Sequence, residues 1–230
     1  VLKSLIYYKI DILEDVLSTR VHIFRGDVSK PKFGLESDTY TKLSKTVASV
    51  YHNAAMINSV YSYLQHKPTN VLGVKEVLAF ACSSSIPKAL HHISTVGMLA
   101  GTLDEVFEVP LSSRHENTGG YAQSKWVGEQ LVNKFHQTTS SNVCIYRPST
   151  IFGSTATGAS NPKDTASGMI RGLIIEGMYC DSLCNPQDGK SMLPGELNLV
   201  PVDWAASSII SLSHTNAKGK AFHISNGTLT

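Results

Sequence analysis

Four short β-rich runs, each stopped by small or polar residues, leave this chain few folds to choose from. Val21 to Phe24 breaks at Gly26-Asp27, and Val47 to Tyr51 ends at Asn53-Ala54-Ala55. Ala89 to Ile93 ends at Ser94-Thr95, and Asn142 to Tyr146 stops at Pro148. Between them apolar residues recur at helical spacing. After Asn70 they are Val71, Val74, Leu78, Ala81 and Cys82, and further on Val127, Leu131 and Phe135. Strands that alternate with helices pair in parallel through crossovers, which predicts an α/β fold built as a doubly wound parallel sheet. Ligands of such a sheet bind outside the carboxyl ends of its strands. Asp27, Asn53 to Ala55, Ser94-Thr95 and Pro148-Ser149 all fall at those ends and are expected to line one cleft.

The flanking segments read more simply. Leu2 to Leu17 has the pattern of a helix lying before the first of these strands. Gly, Ser, Thr, Asn and Pro crowd residues 153 to 168, which marks a loop. Helical signal returns around Met169 to Glu176 and from Val202 to Ser213. No internal repeat or low-complexity tract interrupts this order.

Composition narrows the function classes. With 230 residues, 42% hydrophobic and 17% charged, the chain is long enough for one large domain with a buried core. A net charge of +2 argues against a dedicated nucleic-acid surface. No apolar run approaches the ~20 residues that span a bilayer, so no membrane partner is expected. Four cysteines are too few for a disulfide scaffold, which favours a reducing, cytoplasmic setting. Cys180-x-x-x-Cys184 lacks a second Cys/His pair at zinc spacing and reads as free thiols, so no metal is expected. His91-His92 lies in a buried strand and reads as a structural pair.

Tyr121-Ala122-Gln123-Ser124-Lys125 carries the chemistry. A tyrosine and a lysine four apart on a helix share one face, so the ammonium is expected beside the phenol. That charge would favour the phenolate and lower the tyrosine pKa towards neutrality, as a general acid/base requires. The bare pattern is common, but here it has company. Gly119-Gly120 precedes it, His92-Ile93-Ser94-Thr95 lies upstream, and Tyr146-Arg147-Pro148-Ser149 follows.

A longer ordered set of motifs resembles a known family. It comprises Arg25-Gly26-Asp27-Val28-Ser29-Lys30-Pro31, Val50-Tyr51-His52-Asn53-Ala54-Ala55, Asn70-Val71-Leu72-Gly73, Ile93-Ser94-Thr95-Val96, Gly119 through Trp126, and Val200-Pro201-Val202-Asp203. Together these resemble the thioester reductase branch of the extended short-chain dehydrogenase/reductases, over nearly the whole chain. That branch includes the terminal reductase domains of polyketide and nonribosomal peptide synthases, carboxylic acid reductases and aminoadipate reductases. The resemblance implies NADPH, with NADH not excluded, as the reductant. It implies an acyl thioester on a phosphopantetheinyl carrier protein as substrate, reduced to an aldehyde and, if a second hydride follows, to an alcohol.

The resemblance also implies roles. Tyr121 would donate the proton, Lys125 would tune it and hold the nicotinamide ribose, and Thr95 would hydrogen-bond the reacting carbonyl. Asp27 and Val28 would lie beside the adenine, and Asn53, Ala54 and Ala55 along the cofactor backbone. Pro148, Ser149, Thr150 and Ile151 would surround the nicotinamide, with Asn70 and Ser94 completing the cofactor set. Residues 1–152 would form the Rossmann part and residues 153–230 a smaller substrate-binding part with a returning strand and helix.

Three points stay open at this level. The glycine turn that cradles a pyrophosphate does not occur in Val1 to Arg20, and two strands carrying it are expected upstream of Val1. Without them, residues 1 to 230 are expected neither to bind a dinucleotide nor to fold stably. A nucleotide-sugar epimerase or dehydratase and a non-catalytic dinucleotide- or partner-binding module are the competing readings. Asp27 as a plain turn residue, Ala54-Ala55 as packing, and Ser94 and Thr95 as strand-end caps are the structural ones.

Overall fold

The computed structural model describes residues 2–99, 107–111, 119–177 and 198–226. Two compact units emerge, one of His22–Arg147 with Ser211–His223, the other of Val1–Val21, Pro148–Ile210 and Ile224–Thr230. The sequence expectation of an α/β fold with a parallel sheet is met. The sheet has the order β1 (Ser49–His52), β2 (Ala89–Ile93), β3 (Val143–Pro148), β6 (Lys220–Ile224). β1 pairs parallel with β2, and β2 with β3, which sets His52 opposite His92 and Ile93 opposite Tyr146. Every residue of β3 is buried, as a strand covered on both faces should be.

The helices of this first unit are α3 (Ser37–Ser44), α4 (Tyr63–Lys67), α5 (Gly73–Ala81) and α6 (Gly120–Thr139). Ser62 and Gln65 form a capping box that starts α4. Pro68 lacks an N–H, so the helix widens into a π turn over Pro68–Leu72 before α5 resumes. That turn faces Asn70 and Val71 inward, where both are buried. The main core joins Val74 and Val77 of α5, Leu90 of β2, Val132 of α6, Val143 and Ile145 of β3, and Ala221 of β6. A second cluster of Met98, Leu99 and Leu111 takes Ala122 and Trp126 of α6.

Several expectations give way. Val21 to Phe24 forms no strand, and Val21, Ile23 and Phe24 stay exposed. Its backbone has no neighbouring strand to pair with among the described residues, and a strand without a ladder is not held. α5 buries Val74, Val77 and Phe80, so Leu78 is only half-covered and Cys82 is exposed. α6 buries Ser124, Lys125, Gly128, Glu129, Val132 and Asn133, whereas Val127, Leu131 and Phe135 lie at the margin of that face. A mostly polar stripe goes inward because Ser124, Lys125 and Glu129 find partners there, which apolar periodicity cannot register.

In the second unit, the expected helix over Leu2 to Leu17 is instead two short ones, α1 (Leu2–Tyr7) and α2 (Glu14–Arg20), neither with a buried residue. β4 (Thr150–Phe152) pairs parallel with β5 (Leu199–Pro201). α7 (Thr165–Glu176) and α8 (Val202–Ser213) follow the expected helical segments, and α7 claims Thr165 to Gly168 from the expected loop. Asp203, in the first turn of α8, accepts both the N–H and the hydroxyl of Thr155. Those bonds pull its carboxyl down to about 2 and fasten the loop after β4. Cys180 and Cys184 lie outside the described residues.

Candidate functional site

The site is built where β2 ends against the start of α6. Lys125 is buried, and its Nζ donates to the Ile93 carbonyl at 2.7 Å, bridging helix and strand end. An ammonium has three donors, and one is used here among the described residues. Burial lowers Lys125 to about 8, against the opposing pull of the Glu129 carboxylate one turn along. Just beyond Ile93, Ser94 is buried, its N–H donating to the Tyr146 carbonyl at 2.6 Å and its hydroxyl directed to the Met98 sulfur at 3.6 Å. Thr95 is half-buried, with its Oγ1 accepting from the Gly97 N–H at 3.0 Å.

Tyr121 sits one turn before Lys125 on the same face, half-buried. The expected depression of its pKa does not occur. Burial pushes the phenol up, and Lys125 is not among the influences on it. The ammonium donates to the strand-end carbonyl, and desolvation is what shifts the phenol. Tyr121 is therefore held protonated at neutral pH, the state a proton donor needs.

Three contacts fix the start of α6. Gly120 lies so close to the backbone of Tyr61, Ser62 and Tyr63 that any Cβ would collide. Gly128 is pressed on the Asn70 carbonyl, at 2.9 Å from where a Cβ would stand. Asn70 itself is buried and makes three bonds. Its Oδ1 accepts from the Met56 N–H at 2.7 Å, and its Nδ2 donates to the Met56 carbonyl and to the Ser124 hydroxyl, both at 2.9 Å. Ser124 in turn donates to the Tyr121 carbonyl at 2.7 Å. Asn70 thus ties the loop after β1, which carries Asn53, Ala54 and Ala55, to the helix that carries Tyr121.

Below Lys125, His52 and His92 face each other across β1 and β2 with ring centroids 5.3 Å apart. Burial first, and the Lys125 charge second, hold His52 down to about 4 and His92 well below its ordinary value. Both imidazoles are neutral, so the pair adds no charge beneath the ammonium. The expected structural pair is buried, but neither ring nitrogen of His92 has a hydrogen-bond partner among the described residues.

Glu129 and Arg147 form a fully buried ion pair that the sequence reading did not single out. Arg147 Nη2 meets Glu129 Oε1 at 2.6 Å and Nε meets Oε2 at 3.2 Å, while Nη2 also donates to the Val109 carbonyl at 2.8 Å. Its Nη1 lies 3.1 Å from His223 Nε2. The available signal was spacing, since Tyr121, Lys125 and Glu129 stand at successive i, i+4 positions of one helical face.

The remaining expected residues are placed as follows. Asp27 is exposed, and its Oδ1 accepts the N–H and hydroxyl of Ser29, which lowers its carboxyl; this is the geometry of a turn residue. Val28 is half-buried and packs on Gly73. Asn53 and Ala54 are exposed and Ala55 is half-buried. Pro148, Ser149, Thr150 and Ile151 belong to the second unit. There Ser149 is fixed by its N–H to the Ile224 carbonyl at 2.9 Å and its hydroxyl to Asn198 at 2.8 Å. Among the described residues no group of three His, Cys, Asp or Glu side chains gathers to hold a metal. No described helix is long and apolar enough to cross a membrane.

The donor chemistry at the end of β2 suits a ligand rich in hydroxyl acceptors, such as a nicotinamide dinucleotide. Among the described residues the buried Lys125 ammonium donates to Ile93 alone, and hydroxyl groups are acceptors of the kind its other donors need. The glycine turn for a pyrophosphate is absent from the described residues before β1.

Comparison with known proteins gives the family. The profile of an NAD-binding family described as male sterility protein matches residues 2–209. A linear gramicidin synthase of Brevibacillus parabrevis is 31% identical over 229 residues, 96% of this chain and 4% of that protein. Aldehyde reductase lnbA of Aspergillus flavus is 29% identical over 94% of this chain and 21% of its own length. The crystal structure of the terminal R domain from the myxalamid PKS-NRPS biosynthetic pathway superposes with a TM-score of 0.83 at 31% identity, over 99% of this chain and 55% of that one. The chain thus spans about half of that solved domain and far less of the curated relatives. It belongs to the NAD-binding family described as male sterility protein.

Proposed function

We propose that this chain is part of an NAD(P)H-dependent oxidoreductase that reduces a carrier-bound acyl thioester to an aldehyde. The observation that carries this reading is the Lys125 bond to the Ile93 carbonyl, which brings the Tyr121 and Lys125 face of α6 to the strand end that leads into Thr95. Relatives named as an aldehyde reductase, a linear gramicidin synthase and a terminal R domain support it.

The bound cofactor supplies the hydride. Thr95 donates a hydrogen bond to the carbonyl oxygen as charge builds on it, an interaction of a kind worth ~2.7–4 kcal/mol in the transition state. Tyr121 delivers the proton that neutralises this oxygen, giving a hemithioacetal. Lys125 holds the ribose and, as an ammonium, stabilises the phenolate left on Tyr121 once the proton has gone. Collapse of the hemithioacetal breaks the carbon–sulfur bond and releases the carrier thiol and the aldehyde. Asn53 to Ala55, Asn70, Ser94 and Pro148 to Ile151 complete the cofactor site in this reading, with Asp27 and Val28 at the adenine end. Residues 1–152 serve the dinucleotide and residues 153–230 the acyl group. NADPH is the preferred cofactor, the carrier is a phosphopantetheinyl domain, and the setting is cytoplasmic.

The intact protein that carries this chain should be mixed with an acyl thioester on such a carrier and with NADPH or NADH. Consumption of reduced cofactor together with trapped aldehyde is the expected result. Turnover of a nucleotide sugar without aldehyde formation would overturn the reading.

A further inference from the structure

His66 is a buried titratable group that the proposed chemistry does not use. It lies fully buried in α4, with Nε2 3.0 Å from the Asn58 carbonyl oxygen. A carbonyl only accepts, so Nε2 bears the hydrogen of this contact. Nδ1 is buried without a hydrogen-bond partner among the described residues. An apolar side chain would leave no unmet ring nitrogen there, though it would give up the bond to the Asn58 carbonyl.

What the imidazole touches explains its presence better than its hydrogen bonding does. Its ring meets the Tyr121 ring edge-on, with centroids 5.8 Å apart and planes at 62°. On another side it meets Tyr61 at 6.0 Å. The segment behind it is stiffened at several points. Asn58 Oδ1 accepts the N–H groups of Val60 and Tyr61, and Ser62 and Gln65 cap α4. The backbone of Tyr61 to Tyr63 is wedged against Gly120, the residue before Tyr121. A braced loop therefore presents one ring to the side of the proposed proton donor.

We infer that His66 is a positioning residue for Tyr121. Its ring bears on the phenol ring and couples it to the Asn58 to Gln65 segment, so the hydroxyl keeps one orientation as the substrate carbonyl arrives. Edge-to-face contacts of this kind are directional, and a small misplacement of a reacting group carries a large rate cost. The inference rests on the reading of Tyr121 as proton donor.

A double-mutant cycle on the intact protein tests it, with kcat, KM, cofactor Kd and thermal midpoint measured for each variant. His66→Ala and the volume-filling His66→Leu should each lower kcat by ~10- to 100-fold, with KM and cofactor Kd within about twofold. His66→Phe, which restores an aromatic ring, should recover most of the lost kcat. In a Tyr121→Phe background, His66→Leu should change the residual kcat by less than about twofold, because the group it positions is gone. An equal loss in both backgrounds, unaffected kcat in folded His66→Leu protein, or failure of His66→Phe to recover would overturn the inference alone. Full activity in Tyr121→Phe would overturn the reading of Tyr121 and the inference with it.

Discussion

Lys125 and Ile93 are joined by a 2.7 Å hydrogen bond from the ammonium to the last carbonyl of β2. That single bond locks the face of α6 bearing Tyr121 to the strand that leads into Ser94 and Thr95. Burial alone acts on the phenol of Tyr121, and it raises the pKa.

Removing the phenol hydroxyl tests the chemistry most directly. Tyr121→Phe should abolish thioester reduction while cofactor affinity stays within a few-fold, because only the proton donor is lost. Thr95→Ala should lower kcat by ~100- to 1000-fold with little change in KM, as for a donor used mainly in the transition state. Steady-state kinetics with aldehyde trapping, alongside a cofactor titration, gives both numbers.

Lys125 sets a pH limit. Burial lowers it to about 8 from 10.5, so the folded protein loses this proton before the unfolded chain does. The cost of burying the charge is fully present below about pH 8. It is relieved as pH rises towards 10.5, so this group's contribution to stability increases across that window. Activity should run the other way, falling above about pH 8 as the ammonium is lost. Glu129→Gln removes the carboxylate that favours the charged form, and the falling limb of the pH–rate profile should move to lower pH.

The Glu129–Arg147 pair should be costly to break and cheap to replace. Glu129→Ala leaves the guanidinium buried without its carboxylate and should destabilise by ~3–5 kcal/mol. Glu129→Leu combined with Arg147→Met removes both charges and should cost clearly less. Denaturant unfolding of the intact protein compares the two, and a double variant as unstable as Glu129→Ala would contradict the account.

Asn70→Ala should strip the loop after β1 of its tether. The Met56 N–H and carbonyl and the Ser124 hydroxyl each lose a partner, and a buried group so abandoned costs ~1–3 kcal/mol. Cofactor affinity should fall with stability, because Asn53 to Ala55 sit on the loop that is released. Hydrogen exchange at Met56 in the variant, compared with a cofactor titration, reports on both.

Much of this was legible in the amino-acid order because it is local. β2 runs over Ala89 to Ile93 as the β-rich pattern dictates, α8 runs over Val202 to Ser213, and Tyr121 and Lys125 share a face because four residues make about one turn. Tertiary structure alone decided the rest. Val21 to Phe24 has strand composition yet lacks a neighbour to pair with among the described residues. α6 turns Ser124, Lys125, Glu129 and Asn133 inward because Asn70, Ile93 and Arg147, all distant in sequence, supply partners to several of them. β4 and β5 are three residues each, too short for a periodicity to show, and are defined by pairing with each other. Side-chain spacing fixes which residues can meet on one element. Which polar group satisfies which, and so which carbonyl Lys125 donates to, depends on atoms that only the folded chain brings within 3 Å.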